Sequence, residues 1–318
     1  MVEPHSKWFC YLSSVAAPLF ITLSGVMISF SQQRKDYPFG HFLRRGLVLI
    51  GIAAVLDITA WQMYPFTSFD VLYIIGISAP IAYFFGRIRD ARVQWLLVGV
   101  VFLLAPLLQY VFGYTEYPSE FNFGGTYNLV VENQTSILNH LFIDGWFPVF
   151  PWLGFSLLGV LLGNYRWKGG GIETFSRKIT LLIATALLVV GVSTWLIKPV
   201  TLYSRDGFSE VFYPPTLRFC VYTIGIILVL FYLTDKFSDT NLLRPVSTIG
   251  QSSLFLYILH TLMINYVLSL FFERLRTGAF LILWFCFSVF IAVVAYGLKI
   301  LKEKWNQPHW ILRFLLGG

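Results

Sequence analysis

Apolar residues in this chain come in blocks of about twenty, the length that a helix needs to cross roughly 30 Å of hydrocarbon. Of the 318 residues, 57% are hydrophobic and 12% are charged, whereas about 25% of residues are charged in ordinary soluble domains. This composition excludes a soluble globular protein. The blocks do not show the alternation of barrel strands, so they predict helices. The predicted fold class is therefore all-α, a polytopic membrane bundle of about nine transmembrane helices.

The apolar blocks and the gaps between them predict how the chain is organised. Residues 1–318 form one predicted transmembrane domain, with an outer loop over 114–146 and an interfacial tail over 302–318. The nine predicted spans are residues 8–30, 42–64, 71–85, 94–113, 147–165, 179–197, 217–233, 251–272 and 279–301.

Lysine and arginine are distributed unequally over the two sides of these spans. The gaps after the first, third, fifth and seventh spans, together with the tail, hold 17 of the 23 basic residues, and the opposite side holds 6. The positive-inside rule therefore predicts a cytoplasmic C-terminus and an outward N-terminus. The net charge of +7 is a topology signal, and no nucleic-acid partner is expected. The tail interleaves basic and aromatic residues, which predicts a cytoplasmic helix attracted to anionic lipid in the bilayer.

The outer loop 114–146 contains no lysine or arginine but several acidic residues. A loop of this length is a lid, a binding element or a disordered segment, and the sequence leaves these open. His140 precedes the fifth span, where it either lines an outer mouth or is a solvated loop residue. Trp61 and Trp152, near the same face, either stack on the rings of a sugar substrate or belong to the interfacial aromatic belt.

Ionisable residues inside a membrane span are costly and therefore point to function. Asp57 lies roughly 16 Å from the cytoplasmic end of the second span, and His260 roughly 14 Å from that end of the eighth span. A carboxylate facing an imidazole would orient it and stabilise its charge, as a general base requires. The alternative is that His260 packs as a neutral ring while Asp57 caps a helix or binds water.

Basic residues between the first two spans form a second candidate site. Arg34, Arg44 and Arg45 surround the start of the second span, and arginine binds phosphate in a bidentate manner. The cluster either holds a phosphorylated co-substrate or anchors the topology. Gly159 and Gly163 form a G-x-x-x-G step in the fifth span, which predicts close helix packing. The three cysteines have no metal-ligand or disulfide spacing, so no metal site is predicted.

Several ordered stretches resemble the catalytic domain of heparan-α-glucosaminide N-acetyltransferase and its prokaryotic relatives, within the wider transmembrane acyltransferase superfamily. Their order and spacing match over nearly the whole chain. The stretches are APLFITLSGV (17–26), RRGLVLIGIAAVLD (44–57), FDVLYIIGIS (69–78), FPVFPWLGFSLLGVLLG (147–163), YPPTLRFCVYTIG (213–225) and IGQSSLFLYILHTLMI (249–264).

The resemblance implies a helical membrane enzyme that takes an acyl group, usually acetyl, from acyl-CoA on the cytoplasmic side. The acceptor it implies is an amine or hydroxyl, often of a sugar or glycoconjugate, presented from the other side. His5 is similar in position to the proposed catalytic histidine of the animal enzyme, and His260 matches the histidine of a Leu-Tyr-x-x-His step. The family usually begins with a further span, so the resemblance implies a shortened member or a start upstream of Met1.

Acyl transfer from a thioester requires positioning, a base and a donor for the developing oxyanion. The preferred hypothesis is direct transfer with a histidine as base, and a covalent acyl-histidine relay is the alternative. A transporter or flippase without chemistry and an inactive partner subunit are the competing functions. The expected location is a prokaryotic cell membrane, and the oligomeric state stays open, a homodimer included.

Overall fold

A computed structural model describes residues 13–114, 137–170, 175–197, 215–238, 241–271, 277–304 and 314–316. These residues are largely helical, which confirms the all-α fold class. Ten described helices have seven or more residues: α1 (Ala16–Arg34), α2 (Phe39–Leu56), α3 (Val71–Gly86), α4 (Ala91–Phe112), α5 (Val149–Asn164), α6 (Lys178–Ile197), α7 (Leu217–Lys236), α8 (Arg244–Gly250), α9 (Ser253–Met263) and α10 (Thr277–Lys304).

Several shorter helical pieces extend or precede these helices. Four of them are π-helical, with one extra residue in the turn, and π-helical turns are frequent at functional sites. The π-helical pieces are Asp57–Trp61, His140–Asp144, Tyr165–Gly170 and Ile264–Leu268, and the others are Ile137–Asn139, Asn241–Leu243 and Ser269–Phe271.

Four of the described helices are long and apolar enough to cross a membrane, namely α4, α6, α7 and most of α10. The number is six if each of two bent pairs is one span: Ile137–Asp144 with Val149–Trp167, bent by 51°, and Arg244–Gly250 with Ser253–Leu268, bent by 77°. The predicted count of nine is therefore not confirmed. One reason is length, because α3 is apolar but has only 16 residues.

The end of the predicted outer loop is helical. Residues 137–144 form the first arm of one bent pair, whereas residues 115–136 lie outside the described part of the chain. The predicted tail 302–318 begins inside α10, which continues to Lys304.

The described chain divides into two compact units, Ser6–Lys236 and a second unit formed mainly by Phe237–Gly318. The larger unit is built around α5. Every residue of α5 except Phe150 is buried, as expected of a helix that is apolar on all sides. Helices α1, α3 and α4 pack against it, α2 packs against α3, and α6 packs against α7. In the most apolar windows of α4 and α6 only 17% of residues are buried, which leaves apolar surface for lipid.

Helices α1 and α5 approach each other closely through glycines. A Cβ on Gly25 would overlap the carbonyl oxygen of Ser156, and a Cβ on Gly159 would overlap that of Thr22. A Cβ on Gly163 would lie 2.7 Å from Cβ of Ser29. The predicted close helix packing at Gly159 and Gly163 is thus confirmed.

In the smaller unit, α8 and α9 both pack against α10. Lys302 on α10 donates to the carbonyl oxygen of Gln251 at 3.2 Å and to Ser252 Oγ at 2.9 Å, at the break between α8 and α9. Ser252 Oγ in turn donates to the carbonyl oxygen of Leu316 at 3.1 Å. Lys302 and Leu316 therefore hold the bent pair of this unit.

Candidate functional site

Asp57 lies where α2 changes into a π-helical turn, and its side chain is fully buried. The carboxylate accepts three hydrogen bonds. Ser68 Oγ donates to Oδ1 at 2.5 Å, the Tyr73 hydroxyl donates to Oδ2 at 2.6 Å, and the backbone N–H of Phe66 lies 3.2 Å from Oδ2. Hydrogen bonds to a charged acceptor are strong, so these donors offset part of the cost of removing water from the carboxylate.

The chain between Asp57 and α3 forms a turn around this carboxylate. Gln62, Phe66 and Phe69 have φ angles of 55°, 68° and 47°. This left-handed region disfavours residues that carry a Cβ, at a cost of about 1–3 kcal/mol each, and such residues cluster at functional sites. The hydrogen bonds to Asp57 hold this turn, residues 62–69, in its unfavourable conformation.

His140 and Asp144 form a second buried pair on the π-helical piece that precedes α5. The ring of His140 is 1% exposed and Asp144 is fully buried. His140 Nδ1 lies 2.6 Å from Asp144 Oδ1, and Asn139 Nδ2 donates to Asp144 Oδ2 at 2.7 Å. An ionised carboxylate only accepts hydrogen bonds, so it favours the tautomer that has its proton on Nδ1 and its lone pair on Nε2.

Two backbone hydrogen bonds join the turn 62–69 to the His140–Asp144 segment. The N–H of Trp146 donates to the carbonyl oxygen of Ser68 at 3.1 Å, and that of Phe147 donates to the carbonyl oxygen of Phe69 at 2.9 Å. Main-chain hydrogen bonds thus link two groups of buried polar residues, one around Asp57 and the other at His140 and Asp144. We call these two linked groups the buried polar cluster, and its members are Asp57, Ser68, Tyr73, His140 and Asp144.

Two of the predicted phosphate-binding arginines, Arg44 and Arg45, lie toward the opposite end of α2 from Asp57. Arg44 and Arg45 are exposed, and the helical rise places Arg45 about 18 Å from Asp57. Arg34, at the end of α1, lies over the ring of Phe30 at 5.9 Å, and Phe30 in turn packs against Trp167 at 5.0 Å.

His41 shows that the charges at this end of α2 act on one another. It precedes the predicted span that starts at residue 42. Partial burial lowers the pKa of His41, and the nearby charges of Arg45, Arg44 and Lys35 lower it further. Arg44, Arg45 and Lys35 therefore lie near enough to His41 for their charges to act on it.

The two predicted sugar-stacking tryptophans have different environments. Trp61 is 39% exposed at the end of the π-helical turn. Trp152 is fully buried in α5, with ring centroids of Phe147 at 4.8 Å, Phe155 at 5.8 Å and Phe219 at 6.2 Å. Trp61 is therefore partly exposed, whereas Trp152 is enclosed by other rings.

His260 lies on α9 of the smaller unit, whereas Asp57 belongs to the larger one. Its Nδ1 lies 3.2 Å from the carbonyl oxygen of Leu256, and its ring contacts that of Tyr257 at 5.2 Å. The pairing of Asp57 with His260 stays a prediction. His5 lies outside the described residues.

Sequence reasoning missed Ser68, Tyr73 and Asp144 as members of the site. A signal was available for Asp144, because it follows His140 by four residues, the spacing at which two side chains meet on one helical face. The sequence predicts a loop over residues 114–146, where a spacing of four residues does not predict a contact. In the part of the chain that the structure describes, no group of three or more His, Cys, Asp or Glu residues is arranged to hold a metal ion.

Comparison with known proteins assigns the family. No curated protein and no solved structure matches the chain. The model of the family described as heparan-α-glucosaminide N-acetyltransferase, catalytic, matches residues 2–197, more than half of the chain. This range contains the whole buried polar cluster and the basic residues at the other end of α2. The chain is thus a multi-pass membrane protein that belongs to the catalytic-domain family of heparan-α-glucosaminide N-acetyltransferase, a family of acetyltransferases.

Proposed function

We propose that this protein transfers an acetyl group from acetyl-CoA to an amine or hydroxyl group of a sugar or glycoconjugate. The observation that carries the proposal is the family match over residues 2–197, the range that contains the buried polar cluster. The two ends of α2 supply what the two substrates require. One end is basic and exposed, and the other leads into the buried carboxylate of Asp57, whose turn is hydrogen-bonded to the segment that follows His140 and Asp144.

The basic end of α2 suits the nucleotide part of acetyl-CoA. Its phosphates are anionic, and Arg44 and Arg45 are exposed there, with Lys35 close by. Guanidinium groups bind phosphate in a bidentate manner. This end is the predicted cytoplasmic face, where acetyl-CoA is available. The pantetheine arm would then extend along the bundle toward Asp57.

The turn around Asp57 suits a sugar acceptor. Trp61, Tyr64 and Phe66 are 39%, 50% and 47% exposed, and they follow one another on the segment that leads from α2 to α3. Aromatic faces of this kind can pack against the apolar face of a sugar ring while a polar edge stays hydrated. These side chains would hold the acceptor beside the buried polar cluster.

The chemistry needs few groups because a thioester is already activated. The acceptor nitrogen or oxygen attacks the acetyl carbonyl carbon, the C–S bond breaks, and coenzyme A leaves as the thiol. A histidine takes the proton that the acceptor loses and returns it to the sulfur. The sequence proposes His260 or His5 for this base, with Asp57 as the orienting acid, and no metal takes part in the scheme.

Label transfer in lipid tests the proposal. Purified full-length protein in nanodiscs receives acetyl-CoA labelled in the acetyl group, together with glucosamine as an amine acceptor or N-acetylglucosamine as a hydroxyl acceptor. We expect label on one acceptor and release of free thiol in equal amount. Thiol release without labelled acceptor would contradict the acceptor class. If folded protein neither binds acetyl-CoA nor transfers label, the acetyltransferase function is wrong and transport becomes the better explanation.

A further inference from the structure

We infer that His140 is the general base that deprotonates the acceptor, with Asp144 as its positioning residue. The inference rests on the acetyl transfer proposed above and names the base for it. It stands on the one described place in the larger unit where an imidazole and a carboxylate are hydrogen-bonded to each other, at 2.6 Å.

The pair has the geometry that a base requires. A carboxylate on Nδ1 fixes the ring and stabilises the imidazolium that forms when Nε2 accepts a proton. Asn139 donates to the second oxygen of Asp144 at 2.7 Å, so the carboxylate is itself oriented. His260 has a weaker arrangement, because its Nδ1 lies 3.2 Å from a backbone carbonyl oxygen, which carries no full charge.

Burial adds to the effect of the pair. His140 is 1% exposed and Asp144 is fully buried, so bulk water is excluded around them. Exclusion of water strengthens the electrostatic interaction and protects a thioester from hydrolysis. An acceptor that reaches Nε2 must therefore first leave bulk solvent.

The turn 62–69 fixes the position of this pair. Gly145 donates its N–H to the carbonyl oxygen of His140 at 2.9 Å, and the next two N–H groups bind the carbonyl oxygens of Ser68 and Phe69. A Cβ on Gly145 would lie 3.0 Å from Cβ of Phe69, so the two segments are in close contact. Asp57, which holds Ser68, is therefore a positioning residue of the same site.

In the step that we infer, the acceptor N–H or O–H bond breaks as its nitrogen or oxygen bonds to the acetyl carbon, and the proton moves to Nε2 of His140. When the C–S bond breaks, the sulfur takes the electron pair and His140 returns the proton to it. The ring is then neutral again, with the proton on Nδ1 facing Asp144. No further reactant is needed.

Kinetics of variants in nanodiscs test this inference. We expect His140→Gln to lower kcat by about 10²- to 10⁴-fold, the usual contribution of a general base, with an unchanged Kd for acetyl-CoA. Asp36→Asn, which removes an exposed carboxylate elsewhere, should keep full activity. Imidazole in solution should restore part of the activity of His140→Gly, which a merely structural histidine would not show.

Asp144 provides a second and milder test in case His140→Gln does not fold. Asp144→Asn keeps the shape but loses the charge, so kcat should fall by at least about tenfold with little change in KM. Asp144→Glu should recover part of the loss. Full activity of folded His140→Gln or of Asp144→Asn would overturn the inference, and loss of activity in His260→Gln alone would assign the base to His260. If the wild-type protein transfers no acetyl group, the proposed function and this inference both fail.

Discussion

The backbone N–H of Trp146 lies 3.1 Å from the carbonyl oxygen of Ser68, and this contact joins two segments that are far apart in sequence. Ser68 also donates its hydroxyl to Asp57 at 2.5 Å. One residue therefore connects the buried carboxylate at the end of α2 with the segment that holds His140 and Asp144. We therefore expect a substitution on either segment to affect the structure of the other.

Loss of one donor to Asp57 should destabilise the turn around it. Tyr73→Phe removes the hydroxyl that lies 2.6 Å from Oδ2 of Asp57. Hydrogen bonds to charged groups contribute about 1.5–3 kcal/mol, so we expect a loss of stability of this size, measured by thermal unfolding in detergent. Tyr83→Phe on the same helix is the control, because the Tyr83 hydroxyl has no hydrogen bond to any described residue. Equal stability of the two variants would contradict the role of Tyr73.

The arginines of α2 should contribute to binding of acetyl-CoA and not to binding of the acceptor substrate. Replacing both Arg44 and Arg45 by Gln should raise KM for acetyl-CoA by about tenfold or more, since charged hydrogen bonds to phosphate are lost. Steady-state kinetics with each substrate varied in turn would measure this. The effect should shrink at high salt, where wild-type binding is already screened. Arg89→Gln, an exposed arginine in the loop before α4, should leave both KM values unchanged.

Close packing of α1 on α5 should make Gly159 intolerant of even a methyl group. Gly159→Ala places a Cβ on the carbonyl oxygen of Thr22, and overpacking of this kind costs about 1–3 kcal/mol. Gly99→Ala in α4 is the matched control, because a Cβ there meets no atom within 4 Å. Alanine should stabilise the helix at position 99 by up to about 1 kcal/mol. Thermal unfolding that ranks the two variants in the opposite order would refute the packing argument.

Two aspartates that both pair with arginine should differ strongly in their contribution to stability. Asp235 is buried, binds Arg166 and accepts the backbone N–H of Phe175 at 3.0 Å. Removing one partner of such a buried pair costs about 3–5 kcal/mol, which we expect for Asp235→Asn in chemical denaturation. The pair of Asp36 with Arg87 is exposed, so Asp36→Asn should change stability by no more than about 1 kcal/mol. Similar losses in both variants would show that burial does not decide the difference.

The sequence was sufficient to predict the helical membrane fold, because apolar length is a local signal, and the family, because ordered stretches of residues carry the resemblance. It was not sufficient to predict the partners of Asp57. Ser68 and Tyr73 reach the carboxylate because the chain makes a turn in which Gln62, Phe66 and Phe69 have left-handed backbone conformations. Glycine is the residue that usually indicates such a conformation in a sequence, and none of these three is a glycine. The number of spans is not confirmed, and hydropathy alone does not distinguish a helix buried in protein, such as α5, from one that faces lipid.

The reciprocal placement of Gly25 against Ser156 and of Gly159 against Thr22 also limits how this protein can move. Sliding α1 along α5 would replace these glycines at the contact by residues whose Cβ atoms meet the facing main chain, so we expect the two helices to move together as one rigid body. An alternating-access cycle, in which a central chamber opens first to one side of the bilayer and then to the other, cannot use the seam between them.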